Sequence, residues 1–224
     1  MTGVYERALG DAASDLHPEV YERYDLSSED DRVCVGRGRM HISRGTHVLP
    51  ALVAMPRLNL LFPEAGRDVP FSVRTAGFRD EAGHEVLATV REFEFGETRR
   101  RFDSLTLWDA NADRLLDFLG TGGHLVTELH PRVEAGALVV ESGRQWGRLA
   151  GRYVELPGPL AASVEVQDRY DDADERFHVH AVVENALAGH VLSYRGAFTE
   201  EVDARESVPH DLRPTAGVGR VPPR

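Results

Sequence analysis

The chain has 224 residues and a formal net charge of −11, and all 26 of its basic residues are arginine. This acidic balance argues against a nucleic-acid-binding protein, because a phosphate backbone is bound by a basic surface. An apolar fraction of 42% is ordinary for a soluble globular protein, and the length fits one domain, which we place at residues 1–202.

An acidic chain without lysine is typical of a halophilic protein, whose surface carboxylates keep it soluble while salt screens their repulsion. Codon bias is the alternative explanation. Cys34 is the single cysteine of the chain, so no internal disulfide can form, which fits a reducing cytoplasm. The N-terminus is charged at once and has no apolar core of a signal peptide. We therefore predict a cytoplasmic protein.

The first half of the chain reads as helices followed by strands. Two short helices are predicted before residue 30 and a strand at 32–43. The apolar segment 46–62 is too short to span a bilayer and contains two prolines, so it is predicted as a broken helix over a sheet. Contact with a membrane surface is the alternative. Residues 69–78 and 84–95 alternate in polarity and predict a hairpin.

The second half reads as one helix and then more strands. The segment 109–123, "DANADRLLDFLGTGG", is predicted as a helix capped by Asp109 or Asn111 and ended by Gly120. Further strands are predicted at 137–146, 152–157, 163–170, 176–184 and 190–198. The fold class is therefore α+β: a curled, largely antiparallel sheet or partly closed barrel, with N-terminal helices and one or two helices packed over it. Residues 203–224 are rich in proline and predicted as a disordered tail.

Three histidines near the C-terminus raise the question of a metal site. His178 and His180 share one face of their strand, and the apolar side chains occupy the other face. His190 lies at the start of the next strand. The three imidazoles have no common focus, whereas zinc needs three or four converging ligands. We predict no metal and no cofactor.

The strand at 85–95 places a charge among apolar side chains. Leu87, Thr89, Arg91, Phe93 and Phe95 share a face. A buried guanidinium costs several kcal/mol unless it is paired and hydrogen-bonded. The partner is either an internal carboxylate, such as Asp103, or the anionic group of a ligand.

Two other segments carry candidate residues. Arg101 and Asp103 follow an arginine run and share a face with Leu105. The run "LGTGGHL", which contains His124, comes after its predicted helix, whereas a phosphate-binding loop precedes one. The predicted ligand-binding residues are Arg91, Phe93, Phe95, Arg101, Asp103, His124, Gln145 and Tyr194.

The sequence as a whole resembles the domain of unknown function 4166 family. The resemblance runs from about Tyr5 to Phe198 and is carried by "YERALGDAASDLHP", "LFPEAGRDVPF", "RRFDS", "LGTGGHL", "RYDDADERFHVHAVVEN" and "GHVLSYRGAF". It implies an arginine at Arg91, Arg-Phe-Asp at 101–103, a histidine at His124 and Tyr-Arg-Gly at 194–196. It also implies a relation to the C-terminal region of YndJ-like membrane proteins and to saccharopine-dehydrogenase-like modules, hence a membrane protein or an oxidoreductase as functional partner. The family has no assigned activity.

Three functions remain open at this point. The first is a non-catalytic binding module, in which Phe93, Phe95 and Tyr194 form a wall and Arg91 anchors the head group of a small amphipathic or acidic, lipid-like ligand. The second is a metal-independent enzyme that uses His124 and Asp103 as acid–base groups, with Arg91 stabilising negative charge. The third is an interaction domain, which would expose an apolar patch on the segment "VLPALVAM".

Overall fold

A computed structural model describes residues 2–204, 209, 212 and 221–223. The helices are α1 (Val4–Leu9), α2 (Pro18–Tyr24) and α3 (Leu49–Ala54), and 3₁₀ turns cover Gly10–Asp15, Met55–Leu58 and Gly158–Leu160. The strands are β1 (Arg32–Arg44), β2 (Gly66–Arg79), β3 (Glu85–Phe95), β4 (Thr98–Asp109), β5 (Arg114–Leu119), β6 (Leu125–Glu134), β7 (Ala137–Leu149), β8 (Arg152–Glu155), β9 (Ala162–Asp171), β10 (Arg176–Asn185) and β11 (Gly189–Ala204).

The strands form a closed antiparallel barrel. Each strand pairs with the next along the chain from β1 to β7, and the series continues through β9, β10 and β11, which returns to β1. The pairing of β6 with β7 completes a ring of ten strands, and β8 only extends β7 as a hairpin. The predicted antiparallel fold is confirmed, and the barrel is closed rather than partly open.

Helices cover both ends of the barrel. We call the end where β1 begins the lower end. There α1 contacts β3, β4, β5 and β6, and α2 contacts β9, so the predicted N-terminal helices are confirmed as a plug. At the upper end the broken apolar segment forms α3 and a 3₁₀ turn, with Leu52 fully buried. No helix of the described residues has the length and apolar content needed to cross a membrane.

One predicted helix is wrong. Residues 114–119, "RLLDFL", form β5 between β4 and β6 instead. Leu116 and Phe118 face an outer cluster around Trp146, whereas Leu115 faces the barrel interior. Because apolar side chains occupy both faces, the period of two is hidden and the run resembles a helix. Gly120, predicted as the helix end, has φ +79 in the turn before β6.

Strand β6 (Leu125–Glu134) carries no clear signal in the sequence. Pro131 and alternating charged residues weaken its strand pattern, since proline lacks the donor for a ladder hydrogen bond. The segment is nevertheless a strand, because it pairs with β5 on one side and β7 on the other and so closes the ring.

The predicted tail, 203–224, lies mostly outside the described residues. Within it, β11 continues to Ala204. Leu212 is buried against Val33 and Val35 on the outer face of the barrel. Farther on, the buried guanidinium of Arg114 donates a hydrogen bond of 2.6 Å to the carbonyl of Pro222.

Candidate functional site in the barrel interior

Four of the predicted site residues line the interior of the barrel. Phe93 is fully buried, with ring centroids 5.1 Å from Phe71 and 5.5 Å from Tyr194. Phe95 lies nearer the upper end, 5.5 Å from the ring of Phe62. Arg91 is on the same face of β3, as the alternation predicts. These side chains form an aromatic wall with a guanidinium beside it.

Gln145 also faces inward but is engaged with the backbone. Its side chain lies opposite Thr127, on the inner face. Its amide donates to the carbonyl of Ala162, and its oxygen accepts from the Ala162 N–H at 2.9 Å. Ser142 likewise accepts from the Val164 N–H at 2.8 Å. Both side chains therefore join β7 to β9 where the two strands separate, and the polar groups of Gln145 already have partners.

Arg101, Asp103 and His124 do not lie with Arg91. Asp103 is on the outer face of β4, where it accepts hydrogen bonds from Asn59 at 2.9 Å and from Arg101 at 2.5 Å. His124 is exposed in the turn before β6. Asp103 is therefore not the partner of Arg91, and the acid–base set of His124, Asp103 and Arg91 is not assembled in one place.

Arg91 has few partners for a guanidinium so deep in a protein. One N–H donates to the hydroxyl of Ser104 at 3.3 Å, and the guanidinium lies 5.2 Å from the ring of Phe102. In the described part of the chain, no carboxylate lies within the 4 Å of an ion pair to Arg91. Burial opposes the charge of Arg91, and among the carboxyl groups Asp117 acts on it at longer range.

Asp117 is the carboxyl group that faces Arg91, and the sequence prediction missed it. It projects inward from β5, opposite Thr106 and Thr127, and accepts a hydrogen bond of 2.9 Å from the Thr106 hydroxyl. Burial raises the pKa of Asp117 from 3.8 to about 6, although Arg91 and the Thr106 hydroxyl act in the opposite direction. A strand assignment for 114–119 would have placed Asp117 on one face with Leu115, and the wrong helix prediction concealed this.

A second charged cluster also lies inside the barrel. Arg23 from α2 contacts Asp168 at 3.3 Å and also Glu200, and all three side chains are buried. Tyr24 donates to Asp168 at 2.8 Å. Burial raises the pKa of Asp168, although Arg23 and Tyr24 favour its ionised form. The cluster thus joins residues of α2, β9 and β11 inside the barrel. Because these residues are far apart in the sequence, no local pattern predicts the cluster.

Together the two clusters hold more carboxyl groups than guanidinium groups. Arg23 and Arg91 oppose three carboxyl groups, those of Asp117, Asp168 and Glu200. Full ionisation would leave one uncompensated negative charge in an enclosed site, which is costly. One of the carboxyl groups is therefore expected to retain a proton more readily than a free aspartate does.

Several inward-facing side chains of the barrel are only partly buried. Arg91, Asp117 and Tyr24 are enclosed by protein, yet each keeps some solvent-accessible surface. The inward-facing Phe102 and Trp108 are likewise only partly buried. Arg91, Asp117, Phe102 and Trp108 all project from inward-facing strand positions. Aromatic rings with a few polar groups among them are the usual lining of a small-ligand site.

The histidines do not form a shared site. His178 lies near the lower end of β10, where it contacts Asp174 at 3.0 Å, and His190 is at the upper end beside Ser43 at 3.2 Å. Asp171, Asp174 and His178 do bring ligand atoms within 4.8 Å of one another. Asp171 is already engaged there, because it accepts a hydrogen bond from Arg169 at 2.8 Å.

The predicted apolar patch on α3 is small. Val48 and Leu52 are buried, whereas Val53 is exposed. Single exposed apolar side chains are common on protein surfaces and do not by themselves indicate an interface.

The comparison with known proteins gives the family. The family model Domain of unknown function (DUF4166) matches residues 16–198. The "Uncharacterized protein YndH" of Bacillus subtilis (strain 168) is 29% identical over 204 residues, which cover 90% of this chain and 98% of that protein. No solved structure matches the chain. Because the family model covers most of the chain, from the turn before α2 to the middle of β11, this protein belongs to the family Domain of unknown function (DUF4166).

Proposed function

We propose that this protein is a binding module that holds a small amphipathic molecule with an acidic head group inside the barrel. The observation that carries the proposal is the state of Arg91: an enclosed guanidinium with one hydrogen bond to a hydroxyl and with accessible surface inside the barrel. A guanidinium offers five donors that match a carboxylate or a phosphate. A bound anion would supply the partner that the described residues do not.

The surroundings of Arg91 fit the rest of such a ligand. Phe102 lies 5.2 Å from the guanidinium and, like Trp108, keeps accessible surface, whereas Phe93 and Tyr194 are buried among other rings. An apolar body can therefore pack on the rings while its acidic end reaches Arg91. The resemblance to domains attached to membrane proteins, noted from the sequence, supports our proposal of a lipid-like ligand and of a membrane protein or an oxidoreductase as partner. With its single cysteine buried, a cytoplasmic location remains our prediction.

Ligand retention gives the first test. Native mass spectrometry of the purified protein should detect a bound acidic molecule, or the protein should bind 8-anilinonaphthalene-1-sulfonate, an amphipathic anion that fluoresces in apolar surroundings. Arg91→Met should abolish either signal, because the thioether keeps the volume and removes the charge. Arg99→Met is the matched control, since Arg99 is an exposed residue of β4 that pairs with Glu94.

The result for Arg91→Met must be separated from unfolding. Loss of Arg91 leaves Asp117 without its opposite charge, but Asp117 can then retain a proton and become neutral. We therefore expect the free energy of unfolding near pH 6 to change little. Binding that is equally strong in Arg91→Met and the native protein would refute an anion site at Arg91.

A further inference from the structure

We propose that the barrel takes up its acidic ligand together with one proton, which Asp117 binds. This inference rests on the proposed function, because it concerns the same interior site. If a proton is taken up, binding must strengthen as the pH falls toward 6. The ligand must also be an acid that remains ionised in the bound state.

The geometry brings the two groups to one space. Arg91 reaches it from β3 and Asp117 from β5, and β4 lies between these strands. Ser104 on β4 accepts from Arg91 and also stabilises the ionised form of Asp117. No ion pair within 4 Å joins Arg91 and Asp117 among the described residues. An anion that approaches Arg91 therefore enters the neighbourhood of the carboxyl group as well.

Several elements contribute groups that act on Asp117. Around it are Tyr5 of α1, Arg91 of β3, Ser104 and Thr106 of β4, and Thr127 of β6, with Tyr24 of α2, Asp168 of β9 and Tyr194 of β11 within electrostatic range of the same cluster. Burial raises the pKa of the tyrosines above their ordinary value, so they stay neutral between pH 5 and 8. Asp168 is held by Arg23 and Tyr24. Asp117 is thus the carboxyl group that shares Arg91 with a ligand.

Linkage gives the direction of the effect. With a pKa of about 6, Asp117 is neutral below pH 6, and the positive charge of Arg91 is then free to attract an anion. Above pH 6 the ionised carboxylate competes with the ligand for Arg91 and repels it. A bound anion must therefore raise the pKa of Asp117 further, which means that binding above pH 6 consumes a proton.

The size of the effect follows from one proton. Affinity should be constant below about pH 6 and should weaken by up to tenfold per pH unit above it, until the pH passes the pKa of Asp117 in the complex. A cationic or neutral ligand would show no such loss, since it gains nothing from a neutral Asp117.

The test uses 8-anilinonaphthalene-1-sulfonate, because a sulfonate stays ionised across the range and any pH dependence belongs to the protein. We expect the dissociation constant of the native protein to be at least tenfold higher at pH 8 than at pH 5.5. Calorimetry at pH 7.5 in two buffers of different ionisation enthalpy should show proton uptake. In Asp117→Asn, which keeps an acceptor for Thr106, affinity should be equal at both pH values.

The outcomes separate the two proposals. If Arg91 is required for binding but affinity is the same at pH 5.5 and 8, or if Asp117→Asn keeps the pH dependence, the coupled proton is refuted and the binding function stands. If Arg91→Met binds as the native protein does, both are refuted. An NMR titration of the ligand-free protein is an independent test. The carboxyl ¹³C resonance of Asp117 should titrate near pH 6, and titration near pH 4 would overturn the proposal.

Discussion

At the scale of single residues, the main feature is the set of charged side chains inside the barrel. Arg91 and Asp117 face the same space without a direct ion pair, and Arg23 lies between Asp168 and Glu200. Each isolated buried charge costs several kcal/mol, so such groups persist where they neutralise one another or serve binding. In the Arg23 cluster the charges neutralise one another, and for Arg91 we propose a role in binding.

Asp117 also predicts how stability depends on pH. Its pKa is raised in the folded protein from 3.8 to about 6, so protonation stabilises the fold at low pH and this contribution is lost as the pH rises through 6. The side chain in Asp117→Asn is neutral at every pH, so this variant does not lose that contribution to stability. The stability of the native protein relative to Asp117→Asn should fall by about 1.5 kcal/mol between pH 5 and pH 8.

Urea unfolding of both proteins at the two pH values measures this difference, and other titrating groups cancel because the proteins share them. Parallel stability profiles for the native protein and Asp117→Asn would mean that Asp117 ionises as a free aspartate does.

At the scale of elements, the glycines of β1 decide how the barrel closes. A Cβ built on Gly38 would lie 2.1 Å from the carbonyl oxygen of Ala197, and one on Gly36 would lie 2.6 Å from Val73. β11 contributes Gly196 at the same place, 2.1 Å from the carbonyl oxygen of Arg39. These residues allow β1 and β11 to approach closely where the first and last strands meet.

Gly38→Ala should therefore destabilise the protein strongly. A methyl group at this site overlaps a backbone carbonyl that cannot move without breaking the pairing of β1 with β11, and overpacking of this kind costs about 3 kcal/mol. Gly158→Ala is the matched control, because no atom lies within 4 Å of its added Cβ. Chemical denaturation of the two variants should show a large loss for the first and none for the second; equal stability would contradict the close approach.

At the scale of the whole molecule, the net charge of −11 should make stability depend on salt. Surface carboxylates repel one another in the folded protein, and added ions screen that repulsion. Raising NaCl from 0.05 to 1 M at pH 8 should increase the melting temperature, by about 2–4 °C for each kcal/mol gained.

A pH near the isoelectric point of 5.4 provides the control for the salt effect, since the net charge is then close to zero and the same addition should change the melting temperature little. A salt response that is equal at both pH values would not come from net charge and would remove support for the halophilic interpretation.

Sequence reasoning worked where one face of a strand is apolar and the other polar. β10 alternates Phe177 and Val179 inward with His178 and His180 outward. β3 alternates in this way only in its second half, where Phe93 is inward and Glu92 and Glu94 are outward. Period and turn chemistry are local, so they predict antiparallel strands, the N-terminal helices and the inward direction of Arg91. Alternation failed at β5, because Leu116 and Phe118 are covered on the outside as fully as Leu115 is inside.

The sequence by itself thus determined the antiparallel sheet, the inward Arg91 and the aromatic residues beside it. Only the tertiary structure decided that β6 pairs with β7 to close the ring, that Asp103 lies outside, and that Asp117 faces Arg91. The physical reason is that strand alternation fixes which residues share a face but not which strands become neighbours. Strand order depends on contacts across the whole barrel, and these contacts choose the partners of a buried charge.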